Sequence, residues 1–109
     1  MRMSLLLCLT TCPDPDSAGR LARALVEERL AACVSVLPGL QSTYRWQGAL
    51  EQTSECLLLI KTAHARYPAL QARLVELHPY ELPELVAVES SSALPAYLQW
   101  VAAATAPQE

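Results

Sequence analysis

Cys12, His78 and Glu81 are the residues of this 109-residue chain that would do metal chemistry if the fold brought them together. A thiolate and an imidazole are donors that suit copper or zinc, whereas magnesium and calcium want all-oxygen cages. Asp14 and Asp16, just after Cys12, would add carboxylates. Each residue also has an ordinary structural reading. His78 ends a predicted helix, where partial positive charge is favourable without a ligand. Cys12 closes an apolar run, a common place for a buried cysteine. Asp14 and Asp16 are of the types that close turns and cap helices. A second group, Cys33, Lys61 and His64, would serve an enzyme as nucleophile and base, but no third group that would orient the base is visible.

Other chemistries lack their residues. The three glycines, Gly19, Gly39 and Gly48, cannot form a phosphate loop or a dinucleotide fingerprint, and Cys8 and Cys12 are not a C-x-x-C pair. A non-enzymatic protein without an organic cofactor is therefore expected. Eight Lys and Arg against a net charge of −3 argue against a nucleic-acid partner. Charged residues are 17% and hydrophobic ones 52%, which excludes gross disorder. A mean hydropathy of +0.20 points to apolar surface covered by a partner. Cys8, Cys12, Cys33 and Cys56 sit in or beside apolar runs, so free thiols in a reducing compartment are expected over two disulfides. The short apolar stretch in Met1–Leu9 resembles a secretory signal, and Leu9–Cys12 a lipoprotein site. The first is too short, and no small Ala or Gly precedes Cys12. With no run long enough to span a bilayer, a cytoplasmic protein without a membrane partner is expected.

The elements that must position these residues follow from pattern. Ser4–Cys12 reads as a buried strand closed by Pro13-Asp14-Pro15-Asp16. A helix follows from about Ser17, capped by Asp16 or Ser17, with Ala18, Leu21, Ala22, Leu25 and Val26 on its inner face. Cys33–Leu37 starts a second strand, interrupted at Pro38-Gly39 and resumed over Ser42–Trp46. Gln47-Gly48 makes a hairpin turn, and the return strand runs from Leu50 to Lys61. The second helix covers Ala65–Leu77, with Tyr67, Leu70, Leu74 and Leu77 inward and Pro68 in its first turn. Glu84–Glu89 forms the last strand, and Leu94–Ala103 a terminal helix with Leu94, Tyr97, Leu98 and Val101 inward. No linker divides the chain, so residues 1–109 read as a single domain.

Strand, helix, strand, strand, helix, strand is the α+β, ferredoxin-like split βαβ order, with an antiparallel sheet and both main helices on one face. An RNA-recognition module of this fold needs aromatics on its central strands, and Leu5–Leu9 and Cys56–Ile60 have none. An acylphosphatase-like site needs a cationic nest after the first strand, where this chain is acidic. The topology places the end of the first strand, the end of the second helix and the tip of the hairpin together. Cys12, His78, Glu81, Asp14 and Asp16 therefore share one end, and Cys33, Lys61 and His64 the other. The two central strands do not alternate, so both faces want burial. Homo-oligomerisation through the open sheet face answers that demand; the alternative is a core thickened by the terminal helix.

Taken in order, several segments resemble the CutA family of divalent-cation tolerance proteins. They are Thr10–Asp14, Ala24–Val34, Leu37-Pro38-Gly39, Tyr44–Gly48, Leu59–Thr62 and His78–Glu84. The resemblance implies a ferredoxin-like homotrimer, heat resistance, and tolerance to copper and other divalent metals. It also implies likeness to PII-type signalling trimers, which sense small molecules at inter-subunit clefts. The family's copper-site cysteine falls on Thr10, flanked by Cys8 and Cys12, and its histidine pair falls on Leu77-His78. Cys12 is then the substitute thiol, and Cys33, which matches a family cysteine after the first helix, is a second candidate ligand.

Overall fold

The computed structural model describes residues 4–108. Met1–Met3, part of the short N-terminal stretch, and Glu109 lie outside the described residues. Strand β1 (Leu5–Cys12) leads into helix α1 (Pro15–Glu27), then strands β2 (Cys33–Trp46) and β3 (Ala49–Ala63) form a long hairpin. A short 3-10 turn, His64–Arg66, precedes α2 (Tyr67–Leu77), and β4 (Val86–Glu89) and α3 (Pro95–Ala104) follow. The sheet order is β2-β3-β1-β4, antiparallel throughout, which is the split βαβ arrangement.

Several boundaries differ from expectation for local reasons. Helix α1 begins at Pro15 rather than near Ser17, because Asp14 is the cap in place of Asp16 or Ser17. Asp14 Oδ1 accepts the Ser17 backbone N–H at 2.7 Å, and Pro15 fits the first helical turn. Strand β2 is not interrupted at Pro38-Gly39; a bulge between Leu37 and Leu40 absorbs the pair, with Gly39 at φ +81°. The hairpin turn is where expected, and Gln47 and Gly48 both take positive φ, as a two-residue turn requires. Ala65 belongs to the 3-10 turn rather than to α2, and β4 starts at Val86 rather than Glu84. Val26, Leu77 and Leu94, expected inward, are exposed. Leu77 is the last residue of α2, and Leu94 precedes α3 at its cap.

The core lies between α1, α2 and one sheet face. Leu6, Cys8, Cys56, Leu58 and Ile60 meet Ala18, Leu21, Leu25, Leu70 and Leu74 there. On the other face, helix α3 packs against β3 and brings Tyr97 near Cys33. The terminal helix thus covers part of that face, leaving Leu5, Leu7, Leu9, Leu57 and Leu59 half-buried. Val86 and Val88 on the edge strand are exposed, and so are Tyr44, Trp46 and Leu50 on the hairpin arm. Among the described residues no helix is long and apolar enough to cross a membrane.

Candidate functional site

Pro79 creates the site. A residue before proline is pushed out of the helical region, and His78 accordingly ends α2 in extended conformation, ψ 136°. That turn directs the imidazole at the end of β1, where it is buried. Its Nε2 lies 2.8 Å from the Thr11 carbonyl oxygen and 3.8 Å from Cys12 Sγ, while Nδ1 accepts the Tyr80 backbone N–H at 3.1 Å. Because Tyr80 supplies a donor to Nδ1, the ring proton belongs on Nε2, donated to Thr11. The imidazole is thus a neutral tautomer fixed by two backbone groups.

Electrostatics agree with that tautomer. Burial lowers the His78 pKa, opposed by the Thr11 carbonyl and by the charge of Glu55. Burial pushes the Cys12 thiol up to about 11, with Cys56, its cross-strand neighbour, adding to the rise. The pair at rest is a neutral thiol beside a neutral imidazole, not an ion pair. A metal ion bound there would displace the thiol proton. Ligation through Nε2 would also move the ring proton to Nδ1 and break the Tyr80 contact.

The other predicted residues are distributed around this pair. Asp14 is committed to its cap, and Asp16 is exposed in the first turn of α1. Glu81 is exposed and lines an adjoining cleft of about 680 Å³ with Thr11, Tyr44, Trp46, Glu55 and Tyr80. Cys33 sits at the opposite end, paired in register with Lys61, whose Nζ reaches Cys33 Sγ at 3.8 Å and donates to Ser35 Oγ at 2.7 Å. His64 lines a separate hollow with Leu6, Tyr67 and Ala87, which includes neither Cys33 nor Lys61. Among the described residues no group of three or more His, Cys, Asp and Glu side chains is set to hold a metal ion. All four cysteines are free.

Sequence reasoning passed over Glu55 and Tyr80. Glu55 is buried in β3, and the Tyr80 hydroxyl donates to its Oε2 at 2.6 Å. A glutamate between Ser54 and Cys56 reads as strand-edge polarity; it lies on the sheet face opposite the core residue Cys56, where the Tyr80 hydroxyl meets it. Tyr80 carried a better signal, two residues beyond His78 across a proline.

A family model, CutA1 divalent ion tolerance protein, matches residues 6–104. The chain belongs to this family. It is 48% identical over 93 residues to the divalent-cation tolerance protein CutA of Thermus thermophilus, covering 85% of this chain and 90% of that protein. Identity to mouse protein CutA is 45% over 91 residues, which span 84% of this chain but 51% of the mouse protein, about half its length. The crystal structure of CutA from Xylella fastidiosa superposes with a TM-score of 0.90 at 52% identity, covering 93% of this chain and 97% of that one. Thr10 is the position on which the resemblance to the family, as read from the sequence, places a copper-site cysteine. Thr10 is fully buried, and its Oγ1 has no hydrogen-bond partner among the described residues.

Proposed function

We propose that the protein is a non-enzymatic homotrimer that binds and responds to copper or a similar divalent ion. The observation that carries this reading is the Cys12–His78 contact, Sγ 3.8 Å from Nε2, at the end of β1. A thiol and an imidazole in contact form a soft donor pair, and oxygen-seeking ions gain little there. Two ligands make a weak site, so binding is modest and is completed by a further group. Glu81 at the same end, or Cys33 from a neighbouring protomer, is of the right type.

The homotrimer is supported by what the protomer leaves uncovered. The half-buried leucines of the open sheet face, the exposed edge valines and the aromatic hairpin arm are surfaces that a second copy would bury. Copper arriving at the pair takes the place of a proton, so binding weakens as pH falls. Calorimetric titration of copper under anaerobic conditions into the wild type, Cys12→Ser and His78→Ala tests the site. The wild type should bind and both variants should bind more weakly; equal binding by all three refutes it. Light scattering tests assembly, and a concentration-independent monomer refutes the trimer.

A further inference from the structure

Cys12 has a second sulfur beside it. In the antiparallel register of β1 and β3, Cys12 is paired with Cys56. Directly opposed residues point to the same sheet face, with Cβ atoms about 4.5–5.5 Å apart. Both side chains belong to the core beneath the helices, at 0% and 3% exposure, and both are free thiols. That spacing is loose for a disulfide, whose Cβ atoms lie roughly 3.5–4.5 Å apart. It suits two sulfurs that share an ion, since bonds of about 2.3 Å on opposite sides hold them roughly 4.5 Å apart.

The pair lies inside one protomer. It packs among α1 and α2 of its own chain, away from the open sheet face, so a neighbouring copy on that face leaves it unchanged. It also lies at the end of the core and not in its middle. Cys12 is the last residue of β1, and His78, the cap of α2, touches it.

These surroundings select the ion. Among the described residues no three His, Cys, Asp or Glu side chains form a group that could hold a metal. Zinc fills four positions, and calcium and magnesium six or more. Monovalent copper is satisfied by two sulfurs in a line, and thiol ligands select it. Burial works in the same direction, because the Born cost of taking an ion out of water grows with the square of its charge. One thiolate already neutralises a monovalent ion, and the second sulfur completes the line.

We propose that Cys12 and Cys56 form a two-sulfur site for monovalent copper. The site shares Cys12 with the divalent reading and rests on it for that residue alone; Cys56 and the charge of the ion are new. His78 packs against the pair and is not a ligand of the monovalent ion.

Competition with the chromophoric chelator bicinchoninate, anaerobically and with ascorbate as reductant, tests the site on the full chain. The wild type should withdraw one monovalent copper per chain. Cys12→Ala and Cys56→Ala should each weaken binding by about a hundredfold or more, because each removes one of two donors. Cys33→Ala should leave it unchanged, and His78→Ala should alter it by no more than about threefold. Zinc affinity of Cys56→Ala should match the wild type, because the divalent reading does not use Cys56. X-ray absorption of the copper-loaded wild type needs no variant and should count two sulfur neighbours and no nitrogen. One sulfur with one nitrogen, no copper uptake, or uptake that survives Cys56→Ala in folded protein overturns the proposal. Copper uptake that needs both cysteines, in a wild type that binds no divalent ion, supports it and overturns the divalent reading.

Discussion

Replacing Thr10 by valine should stabilise the protein, although the substitution falls in the middle of the core face of β1. Thr10 is fully buried between Cys8 and Cys12 on that face, and among the described residues Oγ1 has no hydrogen-bond partner. A buried hydroxyl without a hydrogen bond costs about 1–3 kcal/mol of desolvation. Valine keeps the β-branch and nearly the same volume, so it fills the same space and removes the cost. Part of the gain is offset if the slightly larger methyl must be accommodated, leaving about 1–2 kcal/mol of net stabilisation. For a domain of this size each kcal/mol corresponds to roughly 4–8 °C in Tm. Urea denaturation at fixed protein concentration is the assay, because an oligomer's apparent stability depends on concentration. The midpoint should rise with the m-value unchanged. A fall of about 1 kcal/mol or more would refute the reasoning, showing that the hydroxyl is satisfied in the folded protein.

Two further outcomes follow from the same end of the molecule. Tyr80→Phe removes the 2.6 Å hydrogen bond to Glu55 and should cost about 1.5–3 kcal/mol, read by the same denaturation. Because Glu55 has a lowered folded pKa, its contribution is present above the unfolded carboxyl value and is lost as pH falls from there through the lower folded value, so the variant should also have a shallower acid limb. His78 has a lowered folded pKa too, and for a base this means the neutral form is favoured by folding. Its contribution is present above the unfolded value of about 6.5 and is lost as pH falls below it. Thermal scans should therefore show a loss of stability on the acid side of pH 6.5 that is diminished in His78→Asn.

The fold was legible because its signals were local and mutually consistent. The apolar run before Pro13, the Gln47-Gly48 turn and the helical spacing of Leu70 and Leu74 each reported an element that is present. From element order alone, the topology placed Cys12 and His78 at one end, and they are in contact. Features less visible in the sequence depended on tertiary context. The bulge at Pro38-Gly39 keeps β2 continuous only because β3 is there to pair with it. Leu77 and Leu94 match the helical spacing, yet both lie at helix ends, where the inner face runs out. His64 follows Lys61 closely in sequence but lines a different hollow, because the 3-10 turn carries it away from the strand face. Glu55 escaped notice because its partner, Tyr80, comes from a turn far along the chain that no strand pattern reports.

The most direct test of the thiol–imidazole pair as the metal contact is a proton count on binding. Burial holds the Cys12 thiol protonated well above neutral pH, with its pKa up to about 11, so a metal that ligates it must release that proton. Titrating zinc, a redox-silent divalent ion, by calorimetry in two buffers of different ionisation enthalpy measures the release. The account predicts close to one proton per bound ion near pH 7 in the wild type, and none in Cys12→Ser. Release that is absent, or unchanged in Cys12→Ser, would contradict it.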